Sequence, residues 1–194
     1  MSSTSAVTAP TVTATASQVR AWVSLGSNHE RHFQIGRALD ALQAAFGPLI
    51  VSRVYETQPV GIKVEQCAPF YNLVAGFMTQ QTPDQLQRFF KSLEADTKYL
   101  MPEDRSIYVR ALDLDLISWG DFQGDYPLDD QAQRQLRLPY PQLLKHDFVL
   151  RPLAELIPNE SPAGYQQSYA ELWSAHAHTE QVMRPVTFTW MATA

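Results

Sequence analysis

The sequence alternates most strictly between apolar and polar positions over residues 110–116, Arg-Ala-Leu-Asp-Leu-Asp-Leu. Because successive side chains of a strand point to opposite faces, this pattern predicts a strand that buries Leu112, Leu114 and Leu116. Asp113 and Asp115 would then be neighbours on the other face, roughly 7 Å apart at about 3.3 Å of rise per residue. The pattern therefore indicates a half-buried strand with two carboxylates on its open face.

Hydrophobic periodicity predicts a regular succession of elements before this strand. Three apolar, β-rich runs predict strands over residues 19–25, 49–55 and 70–78, and apolar residues at helical spacing predict helices over 33–46 and 82–97. Gly47-Pro48 ends the first helix, and Thr82 and Pro83 begin the second as N-cap and first helical residue. The order β-α-β-β-α-β predicts an α+β fold with a ferredoxin-like core, in which an antiparallel sheet carries its helices on one face.

The other segments show weaker patterns. Residues 57–69 and 98–112 predict loops, and the second has about fifteen residues, a length that is commonly functional in a compact domain. Beyond Trp119 the sequence predicts an added C-terminal region with an acidic loop, a strand over 133–138 and a helix over 148–156. Within residues 160–194 we expect three aromatic residues to pack against the core and two histidines to lie on the surface: Trp173, Phe188, Trp190, His176 and His178.

Length and composition indicate one domain after a short leader. The chain has 194 residues, 45% of them hydrophobic, which is enough for one core and too few to argue for two. Residues 1–18 are mostly Ser, Thr, Ala and Val, without the features of a signal peptide, and are predicted to be a disordered leader. Residues 19–194 are expected to form a single domain and a monomer, since no exposed apolar seam is evident.

Charge and cysteine content narrow the expected partners. A formal net charge of −5 argues against a nucleic-acid-binding protein. No apolar run approaches the roughly 20 residues that a membrane-spanning helix needs, so no membrane interaction is expected. A single cysteine, Cys67, excludes an internal disulfide and fits a cytoplasmic location. Small molecules are therefore the expected partners.

The two aspartates are the first candidates for chemistry. Neighbouring carboxylates on one strand face suit hard cations such as Mg²⁺, and their mutual repulsion favours a positive charge nearby. Arg110, where the predicted strand begins, could supply that charge without a metal. An amphipathic strand with a solvated acidic face and no metal is the alternative.

Six short motifs occur in a fixed order along the chain. They are Ser-Leu-Gly-Ser-Asn at 24–28, Tyr-Glu-Thr-Gln-Pro-Val-Gly at 55–61, Phe-Tyr-Asn-Leu-Val at 70–74, Arg-Ala-Leu-Asp-Leu-Asp at 110–115, Leu-Pro at 138–139 and Phe-Val-Leu-Arg-Pro-Leu at 148–153. Together they resemble the 6-hydroxymethyl-7,8-dihydropterin pyrophosphokinases, from about Trp22 to Pro158. The resemblance implies the same ferredoxin-like core with an added C-terminal region.

The resemblance also implies an activity and its cofactors. An enzyme of this family transfers pyrophosphate from ATP to the hydroxymethyl group of the pterin, releasing AMP, in folate biosynthesis. Carried over to this chain, Asp113 and Asp115 would hold two Mg²⁺ ions, and Arg110 would join them as a catalytic residue that contacts the phosphates. The implied partners are ATP and a reduced pterin.

Further residues match substrate positions of the family. The implied pterin-binding residues are Thr57, Pro59, Val60, Gly61, Asn72 and Phe148. The implied ATP-binding residues are Glu94, Arg105, Arg110, Leu116, Arg137, Tyr140 and His146. From the residues alone, Asn72 could instead cap a turn, Phe148 could be a core residue, and Glu94 could be a solvated helix acid.

The chain also departs from the family pattern. Its long loop lacks the usual tryptophan, keeps Arg105 as its only arginine and adds Glu103-Asp104, while Ile107 or Tyr108 could replace the closing ring. Tyr140 stands where a histidine is common, and His146 where an arginine is frequent. These changes keep two alternatives open. One is a divergent paralogue that binds pterin, nucleotide or a protein partner with little or altered catalysis, and the other is a changed pterin or phosphate donor.

Overall fold

An antiparallel sheet of six strands forms the framework of the part of the chain that the computed structural model describes, namely residues 17–61, 67–95, 108–128, 134–176 and 182–191. The sheet contains β1 (Val19–Ser27), β2 (Ile50–Val51), β3 (Val54–Thr57), β4 (Phe70–Thr79), β5 (Asp113–Trp119) and β8 (Met183–Val186). Its order is β5-β1-β4-β3-β8, with β2 also pairing to β4. A separate hairpin joins β6 (Gly124–Pro127) to β7 (Gln135–Leu138), and the helices are α1 (Arg31–Phe46), α2 (Pro83–Ala95), α3 (Asp147–Leu156) and α4 (Tyr169–Ala175).

The predicted order β-α-β-β-α-β is confirmed, with one interruption. The strand predicted over 49–55 is divided into β2 and β3, because its regular backbone pairing with β4 is interrupted at Ser52. The Ser52 hydroxyl accepts a hydrogen bond from the N–H of Val74 at 2.9 Å, and the N–H of Ser52 donates to the carbonyl of Val74 at 2.9 Å. Ser52 therefore makes both hydrogen bonds to the backbone of Val74, one of them through its side chain, and the regular strand resumes at Val54.

The helix ends follow the predicted signals. Gly47 stops α1 in the left-handed region at φ 80°, where the absence of a Cβ removes the usual strain. At the start of α2, the Thr82 hydroxyl accepts from the N–H of Gln85 at 3.3 Å, and the Gln85 side chain accepts from the N–H of Thr82 at 2.9 Å. The predicted N-cap is confirmed. The predicted helix end near Thr97 and most of the long loop lie outside the described residues.

Apolar residues cover both faces of the sheet. On one face, Leu112, Leu114 and Leu116 pack with the apolar stripes of α1 and α2, so the predicted leucine face is confirmed. The predicted beginning of this strand at Arg110 is wrong, because β5 begins at Asp113 and Leu112 directly precedes it. On the other face, Trp22, Val74 and Ile117 pack with α3 and α4. The expectation of helices on one face holds for α1 and α2, whereas the C-terminal helices cover part of the opposite face.

The region after Trp119 is more ordered than predicted. The segment expected to be an acidic loop contains β6. Residues 160–194, for which the sequence predicts no element, provide α4 and the edge strand β8. The predicted packing of Trp173, Phe188 and Trp190 is confirmed, since Trp173 joins the second cluster and the other two join the first.

Some predictions in the terminal segments are corrected or lie outside the described residues. The surface position predicted for His176 is wrong, because its side chain is only 12% exposed and its Nε2 lies 2.7 Å from Oδ1 of Asp147. His178 and residues 1–16 of the predicted leader lie outside the described residues. Among the helices that the structure describes, none is both long enough and apolar enough to cross a bilayer.

Candidate active site

A cavity of about 340 Å³ opens on the sheet face that carries the two aspartates, beside the second apolar cluster. Nine of the predicted site residues line it: Thr57, Pro59, Val60, Asn72, Asp113, Asp115, Tyr140, His146 and Phe148. Tyr108, named above as a possible replacement for the closing ring, also lines the cavity. Five further lining residues were not predicted: Ser24, Gly26, Gln58, Phe70 and Gln142. The three strands β1, β4 and β5 therefore form the floor of one pocket, and the segment that leads into α3 forms a wall.

The aspartate pair lies at the beginning of β5, next to β1. Asp113 pairs with Gly26 and Asp115 with Ser24, so both carboxylates stand beside small side chains. Both aspartates are half-buried, whereas Leu112, Leu114 and Leu116 are fully buried on the opposite face. The predicted alternation thus places two acids, and little steric bulk, on the cavity floor.

Asp115 has the more perturbed electrostatic surroundings. Burial and, next, the charge of Asp113 raise the pKa of Asp115 to about 6. Tyr140 donates a hydrogen bond to Oδ2 of Asp115 at 3.3 Å, and burial, followed by the charge of Asp115, raises the pKa of the Tyr140 phenol. A cation beside this pair would favour the charged form of both carboxylates.

Arg110 compensates Asp113 directly. Its Nη1 donates to Oδ1 of Asp113 at 3.2 Å, while its Nε and Nη2 contact the Tyr108 hydroxyl at 3.2 and 3.0 Å. Its side chain is about half exposed. The guanidinium is therefore near the aspartates and still accessible to a phosphate group.

Glu94 connects α2 to the aspartate strand. Its Oε1 accepts from the N–H of Leu114 at 2.9 Å, and its Oε2 pairs with Lys91 at 2.7 Å. With a side chain only 14% exposed, Glu94 is not the solvated helix acid that the residues alone allowed. This carboxylate fixes the backbone between the two aspartates.

Asn72 is held by its neighbours on the sheet. Its Nδ2 donates to the Thr57 hydroxyl at 2.8 Å, and both side chains are buried. Gly26 lies opposite Asn72 in the register, and a Cβ at Gly26 would come within 2.8 Å of Oδ1 of Asn72. The Asn72 side chain therefore links β4 to β3 and does not cap a turn. The absence of a side chain at Gly26 makes space for the Asn72 amide.

Phe148 and His146 form a stacked pair on the cavity wall. Their ring centroids are 4.7 Å apart at an interplanar angle of 24°. Burial, followed by the charge of Lys145, lowers the pKa of His146, so its ring is neutral near pH 7. In this respect His146 differs from the arginine that is frequent at its position in the family.

Asn28 joins three segments around the site and was not predicted to do so. Its Oδ1 accepts from the N–H of Arg110 at 2.6 Å, and its Nδ2 donates to the carbonyl of Tyr108 at 2.9 Å. The same Nδ2 contacts Sγ of the buried Cys67 at 3.2 Å. The sequence signal for Asn28 was its place at the end of the first motif, residues 24–28.

Other predicted site residues lie away from the cavity wall. Leu116 is buried in the first apolar cluster, and Arg137 pairs with Asp125 at 3.0 Å on the β6–β7 hairpin. Gly61 directly follows the lining residue Val60, and Arg105 lies outside the described residues. Within the described ranges, no group of three or more His, Cys, Asp or Glu side chains could hold a metal ion by itself.

Comparison with known proteins identifies the family. Residues 22–158 match the family model described as 7,8-dihydro-6-hydroxymethylpterin-pyrophosphokinase. The chain is 31% identical to the 2-amino-4-hydroxy-6-hydroxymethyldihydropteridine pyrophosphokinase of Porphyromonas gingivalis over 140 residues, which cover 71% of this chain and 90% of that protein. It is 30% identical to the Bacillus subtilis protein of the same name over 141 residues, covering 70% and 77% of the two chains.

A solved structure supports the fold. The HPPK-DHPS protein of Plasmodium falciparum, crystallised with pteroate, superimposes with a TM-score of 0.64 at 16% identity. The match covers 81% of this chain and 42% of that one, so this chain spans less than half the length of that protein. The family match, the similar relatives and the shared fold agree: this chain belongs to the 7,8-dihydro-6-hydroxymethylpterin-pyrophosphokinase family.

Proposed function

We propose that this chain is an ATP-dependent pyrophosphokinase that acts on 6-hydroxymethyl-7,8-dihydropterin in folate biosynthesis. The hydroxymethyl oxygen would bond to the β-phosphorus of ATP, and the bond from that phosphorus to the α,β-bridging oxygen would break. AMP leaves with the bonding electrons, and the hydroxyl proton passes to solvent. The observation that carries the proposal is the pair Asp113 and Asp115 on the floor of a cavity that also presents Asn72 and Phe148.

The chemistry of the aspartate pair fits Mg²⁺. Asp115 is a half-buried carboxylate beside a second one, and its raised pKa marks an electrostatic cost that a divalent cation would remove. Mg²⁺ in proteins is commonly held by one or two carboxylates together with substrate phosphates and water. We propose that Asp113 and Asp115 hold two Mg²⁺ ions with ATP. Bound there, the ions would neutralise phosphate oxygens and lower the pKa of the attacking hydroxyl.

The other cavity residues suit the pterin. The Asn72 amide offers a donor and an acceptor for the edge of the ring, and its bond to Thr57 fixes its orientation. The Phe148 ring is placed to stack on the pterin, and Pro59 and Val60 add apolar wall. Gly61 would shape the same loop.

The proposed ATP-binding residues surround the aspartates. Arg110 would contact the phosphates of ATP. Glu94 would hold β5, the strand that carries both aspartates, through its bond to the N–H of Leu114. Tyr140 and His146 lie on the cavity wall. We propose that Leu116, Arg105 and Arg137 also bind ATP, because they match ATP-binding positions of the family. We further propose that the protein acts as a monomer in the cytoplasm.

One observation supports the alternative of a binding paralogue with weak catalysis. Among the described residues that line the cavity, none is arginine or lysine. Each lost donor to a transferring phosphoryl group can reduce the rate about 10²-fold or more. Membership of the pyrophosphokinase family favours the catalytic function over this alternative.

Product analysis tests the proposal. We would incubate the full chain with ATP, Mg²⁺ and 6-hydroxymethyl-7,8-dihydropterin. The nucleotides would be separated by chromatography, and the mass of the pterin product would be measured by mass spectrometry. We expect AMP with a pterin heavier by one pyrophosphate. ADP as the main nucleotide would indicate a different transfer, and no product from a protein that binds the pterin would favour the binding paralogue.

A further inference from the structure

The C-terminal helix α4 contacts the element that carries part of the proposed pterin site. The family match ends at residue 158, so α4 lies outside it. Nevertheless α4 packs with α3 in the second apolar cluster, where Tyr169 and Leu172 are buried beside Leu150 and Leu153. Because α3 begins beside the cavity, any contact of α4 with that end bears on the site.

One polar contact joins the end of α4 to the beginning of α3. His176, directly after α4, has its Nε2 2.7 Å from Oδ1 of Asp147, the first residue of α3. The Asp147 side chain is 4% exposed, so this carboxylate is effectively removed from water. Asp147 lies between His146 and Phe148, whose stacked rings line the cavity. A shift of Asp147 would therefore move both rings.

His176 is held in a well-defined place. Ser168 and Glu171 form a reciprocal capping box at the start of α4, with distances of 3.3 and 2.8 Å. The Trp173 ring lies parallel to the imidazole, with centroids 6.0 Å apart and an angle of 26°, and the N–H of His176 donates to the carbonyl of Trp173 at 3.2 Å. The imidazole is thus fixed to a helix that is itself fixed to the core.

We propose that His176 is a positioning residue for the pterin pocket. By binding Asp147, it would hold the first turn of α3 so that Phe148 and His146 keep their stacked arrangement on the cavity wall. This inference rests on the proposed function, because it assigns the pterin as the ligand that Phe148 contacts. It gives the C-terminal segment beyond residue 158 a role in substrate binding.

A pair of substitutions of similar size separates this role from simple packing. His176→Leu retains apolar contact with Trp173 and loses the side-chain Nε2 that contacts Asp147. His176→Gln retains a side-chain nitrogen donor close to the position of Nε2. We expect His176→Leu to raise the KM and the Kd for the pterin about fivefold to tenfold, with kcat within about twofold. His176→Gln should restore most of the affinity. Pterin binding would also be titrated by fluorescence, which requires no turnover.

Ser168→Ala is the matched control, because it removes the capping box at the opposite end of α4 from His176, while the buried Tyr169 and Leu172 still hold the helix against the second apolar cluster. It should lower the thermal midpoint and leave the KM for the pterin unchanged. Three results would overturn the inference: a pterin KM that is unchanged in His176→Leu, a failure of His176→Gln to restore the affinity, or an equal rise of the KM in Ser168→Ala. In each case, turnover by the wild type would still support the proposed function. Absence of pterin binding by the unaltered protein would overturn both.

Discussion

At the scale of single residues, the two aspartates differ although they alternate identically along one strand. Asp113 is paired with the accessible guanidinium of Arg110, whereas Asp115 is more deeply placed and receives a hydrogen bond from Tyr140. Alternation predicts that both lie on one face, because that depends only on the strand's period of two. Arg110 is three residues from Asp113 and was the positive charge expected from the sequence, whereas Tyr140 is 25 residues from Asp115, and the local pattern does not reveal that partner.

Gly26 provides a residue-scale prediction. A methyl group in Gly26→Ala would come within 2.8 Å of Oδ1 of Asn72, so the amide must move away from its bond to Thr57. Losing one oriented hydrogen bond to the pterin costs about 1–2 kcal/mol, so we expect the pterin KM to rise about fivefold to thirtyfold. Steady-state kinetics with varied pterin would measure the change.

Gly36→Ala is the control for that variant. Gly36 lies within α1, and a Cβ there would meet no atom within 4 Å. The KM for the pterin should not change, and the free energy of unfolding should increase by up to about 1 kcal/mol because alanine favours the helix. If Gly26→Ala bound pterin as well as Gly36→Ala does, the role assigned to Asn72 would be wrong.

At the scale of elements, strongly periodic segments were predicted well and short ones were missed. The helices α1 and α2 and the strands β1, β4 and β5 carry clear apolar periods, and their order is confirmed. In contrast, β8 reads Met-Arg-Pro-Val, has no alternation and contains a proline that suits only an edge position. Its pairing with β3 is a long-range contact, so the local sequence held no signal for it.

The link between β3 and α3 provides an element-scale prediction. The hydroxyl of the fully buried Tyr55 contacts both carboxylate oxygens of Glu155 at 2.6 Å, and Arg151 lies over the ring at 4.8 Å. Burial, followed by the bond to Glu155, raises the pKa of Tyr55 above its ordinary value of 10.0. The folded state therefore holds this proton more tightly than the unfolded chain does, and the resulting stability is complete below pH 10 and lost above it.

Tyr55→Phe tests that link through its pH dependence. Near pH 7 the variant should be less stable than the wild type by about 1–2 kcal/mol, because the hydrogen bond is lost. Above pH 10 the difference should shrink as the wild type loses the contribution of the protonated phenol. Urea unfolding at both pH values would measure it. A difference that stays constant across this range would exclude the proposed linkage.

At the scale of the whole molecule, the larger apolar core and the proposed active site lie on opposite faces of the sheet. One face is covered by α1 and α2 and forms the larger core, while the other is divided between the cluster under α3 and α4 and the open cavity. The order of elements and the acidic face followed from the sequence. The position of the cavity did not, because it depends on where the C-terminal helices leave the sheet uncovered. The roles proposed for Asn72 and Phe148 came from the family resemblance.

If Asp113 and Asp115 make this cavity a Mg²⁺-dependent site of pyrophosphate transfer, the rate of AMP release from ATP and the pterin must depend on them. The rate would be compared among the wild type, Asp113→Asn and Asp40→Asn, a control on α1, which covers the opposite face of the sheet, where the Asp40 carboxylate accepts from Nε1 of Trp190 at 2.8 Å. We predict a loss of at least about 10²-fold in Asp113→Asn and none in Asp40→Asn. A wild-type rate in a folded Asp113→Asn protein would contradict the claim.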